Sequence, residues 1–194
     1  FGHMAADVTG MASAVEHMSD EEISSFRLRF KKHNGIIIMF AGQLIPLKGV
    51  RELLSAWKDF KESDISNVTL TGAVDYDLMA KYYKIADCFI IPTLEDNWSL
   101  VVPEAMACGL PIATSKYNGC HPELVHPENG WVFDPLDKDS IVRTLQEIVK
   151  RSADLKQMGE VSREIVSHHT PERAAQSIMD ACYIAINHRK KHGK

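Results

Sequence analysis

The sequence predicts an α/β fold in which a mostly parallel sheet is covered by helices on both faces. Three observations carry that expectation. Apolar runs of strand length recur along the chain, at Ile36–Ala41, Cys88–Ile91 and Leu110–Thr114. Between them lie stretches with apolar residues at helical spacing, such as Leu53, Leu54 and Trp57. The chain has 194 residues, 45% hydrophobic and 25% charged, enough for one domain with a full core.

The elements follow in order. Phe1-Gly2-His3-Met4 reads as a cloning scar, and residues 1–18 are expected to be a tag remnant or linker outside the fold, with the domain running from 19 to 194. Ser19 is an N-cap with Glu22 three residues on, a capping box that opens a helix from Glu21 to about Lys32. Ile23, Phe26 and Phe30 share its inner face, and Asn34-Gly35 ends it. A buried strand Ile36–Ala41 leads into the loop Gly42–Gly49 and then a helix from Val50 to about Phe60. A short strand is expected at Asn67–Leu70, closed by Thr71-Gly72. A helix Asp75–Ile85 follows, with Leu78, Tyr82 and Ile85 in register. Strand Cys88–Ile91, helix Leu100–Cys108 and strand Leu110–Thr114 come next, then a short turn at Glu123–Val125 and an edge strand Gly130–Phe133. Helices at Asp139 to about Arg151, Ala153–Ser167 and Pro171–His188 close the chain. Thr170 caps the last of them, with Pro171 at its first position.

The bulk numbers exclude several classes. A net charge of −4 argues against a nucleic-acid partner, which needs a concentrated basic surface. Cys88, Cys108, Cys120 and Cys182 have no metal-ligand spacing and read as reduced thiols of a cytoplasmic protein. No apolar run approaches the ~18 residues of a membrane span. The basic end Asn187–Lys194 reads as a solvated helix end, with attraction to a membrane surface as the minor reading. No phosphate-binding G-x-x-x-x-G-K-[ST] loop and no G-x-G-x-x-G occurs.

In such a sheet, ligands bind outside the carboxyl ends of the strands, here the loops after Phe40, Leu70, Ile91 and Thr114. Lys48 lies between a strand end and a helix start, where it can reach a phosphate as a point charge, with Gly42 and Gly49 flanking it. After the strand ending at Ile91, Glu95 and Asp96 precede Ser99, a candidate N-cap of the helix that carries Glu104. The amides of Leu100, Val101 and Val102 would then face an anion. Gly119, after the next strand, would let backbone approach a sugar. Taken singly, each is an ordinary loop residue; their convergence at neighbouring strand ends favours a site for phosphate and sugar hydroxyls together. No serine or cysteine has a recognisable nucleophile elbow beside His121.

The run Glu95 to Pro111 resembles the signature of the retaining glycosyltransferases of family 4, an E-x7-E pair followed by A-M-A-x-G-x-P, and Glu104-Ala105-Met106-Ala107-Cys108-Gly109-Leu110-Pro111 matches it closely. Phe40–Gly49 resembles their first strand and G-R-L-x-x-x-K-G loop. Thr71-Gly72, Tyr82-Tyr83, Ala86-Asp87, Asn118-Gly119, Glu123 and Glu128-Asn129-Gly130 continue the likeness over residues 35 to 185. The resemblance implies a Rossmann-like three-layer α/β/α domain, one half of a GT-B fold, that binds a nucleoside-diphosphate sugar as donor substrate without a metal or other cofactor. Lys48 would contact the diphosphate together with the Ser99, Leu100 and Val101 amides. Glu104 would hold the ribose, and Asp96 or Glu95 the donor sugar. Gly42, Gln43 and Gly119 would lie near the phosphates or sugar. A glycan or lipid-linked acceptor would sit on a separate N-terminal domain that this sequence lacks, so the chain alone is expected not to catalyse transfer. The resemblance also allows peripheral attachment of the full-length enzyme at the inner membrane face.

The sequence departs from the pattern in three places. Gln43 stands where an arginine is common, and Asp96 where a glutamate is. One strand–turn–helix unit is missing after the helix ending near Phe60, as if a segment between about Lys58 and Asp64 were skipped or deleted. The alternatives are a non-catalytic nucleotide-binding module and a protein-interaction module with a degenerate donor site, the latter favoured by Gln43 and Asp96.

Overall fold

The computed structural model describes residues 8–30, 35–60 and 68–192. Among these, four strands form one parallel sheet in the order β1-β2-β3-β4: β1 Ile38–Met39, β2 Cys88–Ile91, β3 Ile112–Ser115 and β4 Gly130–Phe133. Nine helices of the described chain surround it: α1 Val8–Glu16, α2 Asp20–Leu28, α3 Val50–Asp59, α4 Tyr76–Ile85, α5 Val101–Ala107, α6 His121–Leu124, α7 Lys138–Lys150, α8 Leu155–Ser167 and α9 Pro171–His192. The expected three-layer α/β/α arrangement is present.

Strand periodicity divides the core into two layers. Phe89, Ile91 and Ile112 face α1, α4 and α5, meeting Met11, Tyr83, Val102 and Met106. Cys88, Ile90 and Ala113 face the other way, toward α3, α7 and α8, meeting Leu53, Ala56, Ile141, Leu145 and Met158. β2 and β3 are buried throughout, as expected for central parallel strands. β1 is shorter than the run Ile36–Ala41 suggests and only half-buried, because it pairs on one side alone among the described residues.

Three other expectations need correction. Residues 8–16, expected outside the fold, form α1, whose Met11 and Val15 are buried against α4 and α5. Val68 and Leu70, expected in a strand, are 52% and 68% exposed and form no ladder, because no described strand lies beside them. Asn67, like the suspected gap beyond Phe60, lies outside the described residues. In α4 the core-facing side chains are Ala80, Tyr83 and Ile85, whereas Leu78 is exposed and Tyr82 packs edge-on against Phe26 and Phe30 of the α2 segment. The helix thus turns Tyr83, rather than its neighbour, toward the sheet.

Two caps form as expected: Ser19 Oγ accepts from the Glu22 amide at 3.2 Å, and Thr170 Oγ1 from the Arg173 amide at 3.2 Å. α2 is docked by Arg27, which pairs with Asp87 at 2.6 Å. The same carboxylate oxygen accepts from the Ile37 amide at 2.8 Å, so one carboxylate ties α2, the end of α4 and the entry to β1.

Candidate functional site

Loops leaving the carboxyl ends of β1, β2 and β3 are stitched into one surface. The Leu47 carbonyl accepts from the Leu94 amide at 2.7 Å and from Thr93 Oγ1 at 2.9 Å, joining the first two loops. The Asp96 carbonyl accepts from the Gly119 amide at 2.8 Å, and the Asp96 amide donates to the Tyr117 carbonyl at 3.3 Å, joining the second and third. Two glycines make these approaches possible. Gly49 has φ +64°, and a Cβ there would lie 1.9 Å from the Pro92 carbonyl oxygen. A Cβ at Gly119 would lie 2.1 Å from the Asn97 carbonyl oxygen. The close backbone approach expected of Gly119 is therefore made by the protein's own chain.

This stitching delivers Lys48 to Asp96. Lys48 ends a 3₁₀ turn, Pro46–Lys48, and its Nζ lies 2.6 Å from Asp96 Oδ2. The same oxygen accepts from Ser99 Oγ at 2.6 Å, and Oδ1 from the Trp98 amide at 3.1 Å. Partial burial raises the Asp96 carboxyl, but the hydrogen bonds from Lys48, Ser99 and Trp98 and the lysine charge outweigh it. The carboxyl is held below its ordinary range and stays ionised at neutral pH. Lys48 and Asp96 side chains are 26% and 14% exposed, so the pair borders solvent.

The structure separates the two acids that the sequence left as alternatives. Asp96 is bonded to three donors, whereas Glu95 is exposed. Ser99 does not cap α5 as expected. Its hydroxyl donates to Asp96. The helix opens instead with a tight turn, the Val102 amide bonding the Ser99 carbonyl at 3.0 Å. Leu100 and Val101 stand at this start, where helix amides lack partners one turn back. Gly42 and Gln43 are exposed in the β1 loop.

Glu104 sits in the first turn of α5 and is half-buried. Tyr83 Oη donates to its Oε2 at 3.3 Å. Burial first, then the Glu104 charge, push the Tyr83 hydroxyl far above its usual range, so it remains a donor. Sequence reasoning placed no functional role on Tyr83; the only signal was its position beside Tyr82 ahead of Ala86-Asp87. It also gave no role to Thr93 and Asn118, both buried, which brace the loops. Asn118 Nδ2 donates to Thr114 Oγ1 at 3.1 Å, and Asn118 Oδ1 accepts from the Cys120 thiol at 3.1 Å. Burial pushes that thiol up to about 12, which leaves it unreactive. The Trp98 indole N–H is buried without a hydrogen-bond partner among the described residues.

Among the described residues no group of three or more His, Cys, Asp or Glu is arranged to hold a metal ion, and no helix is long and apolar enough to cross a membrane. The chemistry that these side chains offer is electrostatic: a cation, two carboxylates on adjacent elements and a helix start, all at the carboxyl edge of the sheet.

The chain is similar to known proteins over most of its length. An uncharacterized glycosyltransferase of Methanocaldococcus jannaschii is 21% identical over 160 residues, which is 72% of this chain and 46% of the relative. Among solved structures, Anabaena HepE in complex with UDP and glucose superposes with a TM-score of 0.70 at 18% identity, over 86% of this chain and 53% of that one. The Escherichia coli trehalose-6-phosphate protein bound with UDP-2-fluoro glucose superposes with a TM-score of 0.72 at 15% identity, over 92% of this chain and 50% of that one. At these identities the structures establish the fold, which is that of the GT-B glycosyltransferases. The chain spans less than half the length of the curated relatives it matches. The family model for glycosyl transferases group 1 matches residues 65–165, more than half of the chain and the whole stretch from Asp96 to Gly119, and the protein belongs to that family.

Proposed function

We propose that this chain is the donor-binding domain of a retaining glycosyltransferase of family 4, which moves a hexose from a nucleoside diphosphate to a glycan or lipid-linked acceptor. The observation that carries the reading is the meeting of Lys48 and Asp96 across two strand-end loops, directly in front of the helix that bears Glu104. A cation, a helix start and two carboxylates match the parts of a nucleotide sugar: diphosphate, sugar and ribose. The UDP in the Anabaena structure and the UDP-sugar in the E. coli one support a nucleotide-sugar ligand.

Lys48 takes the diphosphate as a point charge, with the Leu100 and Val101 amides beside it. The Ser99 hydroxyl serves Asp96. Glu104 accepts from the ribose hydroxyls, and Asp96, with Glu95 next to it at the rim, faces the sugar. Gly42 and Gln43 border the phosphates in the β1 loop, and Gly119 holds the third loop in place. Catalysis is positional and electrostatic: the site stabilises the departing diphosphate, whose oxygen takes the acceptor's proton. The acceptor side is not formed by the residues named, and the chain alone is expected to bind donor without transferring sugar.

Calorimetric titration of the chain with UDP and with GDP tests the reading. Saturable binding of one of them, weakened in Lys48→Ala and Glu104→Ala, is expected. Silence with both at millimolar nucleotide refutes it. Binding left unchanged in both variants favours instead an interaction module with a degenerate donor site.

A further inference from the structure

We propose that Tyr83 is a positioning residue of the donor site: its buried hydroxyl holds the Glu104 carboxylate in the orientation that receives a nucleotide's ribose diol. The inference rests on the ribose role given to Glu104 above and names the residue that makes that role selective.

Tyr83 is 0% exposed and lies in the core layer with Phe89, Val102 and Met106. Its ring is in tilted contact with Phe89, centroids 5.9 Å apart. A phenylalanine would fill the same space, so the hydroxyl is the part that packing does not explain. A hydroxyl in an apolar layer must find a partner, and this one donates to Glu104 Oε2 at 3.3 Å. Glu104 has a long side chain with several rotamers, at the half-buried border of the site. One hydrogen bond from a rigid aromatic anchor restricts that freedom before ligand arrives. A carboxylate offers about four acceptor positions, and the tyrosine takes one of them.

The scaffold behind the pair is built for fixed geometry. Tyr83 comes from α4 and Glu104 from α5, and both helices pack against α1 through Met11 and Val15. Met11 also reaches the far end of α5, its carbonyl 4.0 Å from the Cys108 sulfur. The high proton affinity of the Tyr83 hydroxyl keeps it a donor over the whole physiological range. The hydroxyl therefore orients the carboxylate without titrating.

The test compares UDP and GDP, each with its 2′,3′-dideoxy form, by calorimetry on the wild-type chain, Tyr83→Phe, Glu104→Gln and the double variant. The wild type is expected to prefer the ribose form by roughly tenfold or more, as a charge-assisted hydrogen bond warrants. In Tyr83→Phe that preference falls by about three- to tenfold, the loss expected when one orienting bond goes, while the dideoxy form binds as before. Tyr83→Phe should add little in the Glu104→Gln background, because both changes act on one contact. Equal weakening of both forms, an unchanged ribose preference in Tyr83→Phe, or additive effects in the double variant overturns the positioning role and leaves the donor site standing. A wild type that does not distinguish the two forms, or binds neither, removes the ribose role of Glu104 and the inference with it.

Discussion

Asp96→Asn removes a charge from the centre of the stitched loops and nearly nothing else, since asparagine keeps an oxygen for the Trp98 amide. The lost contacts are the two at 2.6 Å, to Lys48 Nζ and Ser99 Oγ, both made to an ionised acceptor. Fully exposed pairs contribute about 0–1 kcal/mol, and breaking a buried one costs about 3–5 kcal/mol. With Lys48 26% and Asp96 14% exposed, solvent screening places this pair toward the lower figure, at about 1–2 kcal/mol. The folded-state carboxyl titrates below its unfolded value of about 3.9. Its contribution is thus complete above that value and is lost as the pH falls through the folded-state one. Urea unfolding of wild type and variant at pH 7 and at pH 3 reads the difference. A gap of about 1–2 kcal/mol at pH 7 that narrows at pH 3 is expected. A gap of equal size at both pH values, or none at pH 7, contradicts the assignment of Lys48, Ser99 and Trp98 as donors to an ionised Asp96.

Other perturbations probe separate parts of the account. Lys48→Ala should weaken nucleoside diphosphate binding by about tenfold or more in a calorimetric titration, since a hydrogen bond to a charged group contributes about 1.5–3 kcal/mol; unchanged affinity would show that the diphosphate lies elsewhere. Met11→Ala should cost about 2–5 kcal/mol in urea unfolding, because Met11 is 1% exposed between α4 and α5; a loss within experimental error would mean that α1 is not part of the fold. Gly49→Ala combines a left-handed backbone with a collision against Pro92 and should cost more than about 2 kcal/mol. A neutral result would disprove the close crossing of the first two loops. A thiol reagent at pH 8 should label Cys182 promptly and the other three cysteines only on unfolding, since Cys182 alone is exposed and burial pushes Cys108 and Cys120 up to about 12. Prompt labelling of a second cysteine would refute the buried placement.

Features set by local chemistry were legible in the sequence. Ser19 with Glu22, Thr170 with Pro171, and the apolar runs of β2 and β4 depend on neighbours a few residues away, and each appears as expected. The meeting of Lys48 and Asp96 follows from the strand order too, because parallel strands place successive loops side by side. Features set by long-range contacts were not. Ser99 reads as a cap from its position, but it bonds Asp96 because three loops cross and bring that carboxylate over it. α1 is short and contains Gly10, so propensity alone gives no helix; burial of Met11 and Val15 against α4 and α5 makes it one. Periodicity points Tyr82 inward where the structure turns Tyr83, an offset of one position and a rotation of about 100° around α4. The segment Val68–Leu70 has strand-forming residues and no strand to pair with among those described, and β propensity without a partner forms no ladder.

A structure of the chain with the nucleoside diphosphate it binds tests the central claim most directly. The account predicts the diphosphate at Lys48 and the Leu100 and Val101 amides, with the ribose hydroxyls on the Glu104 carboxylate. A nucleotide bound away from the carboxyl edge of the sheet, or one seated there without contact to Lys48 and Glu104, would contradict it.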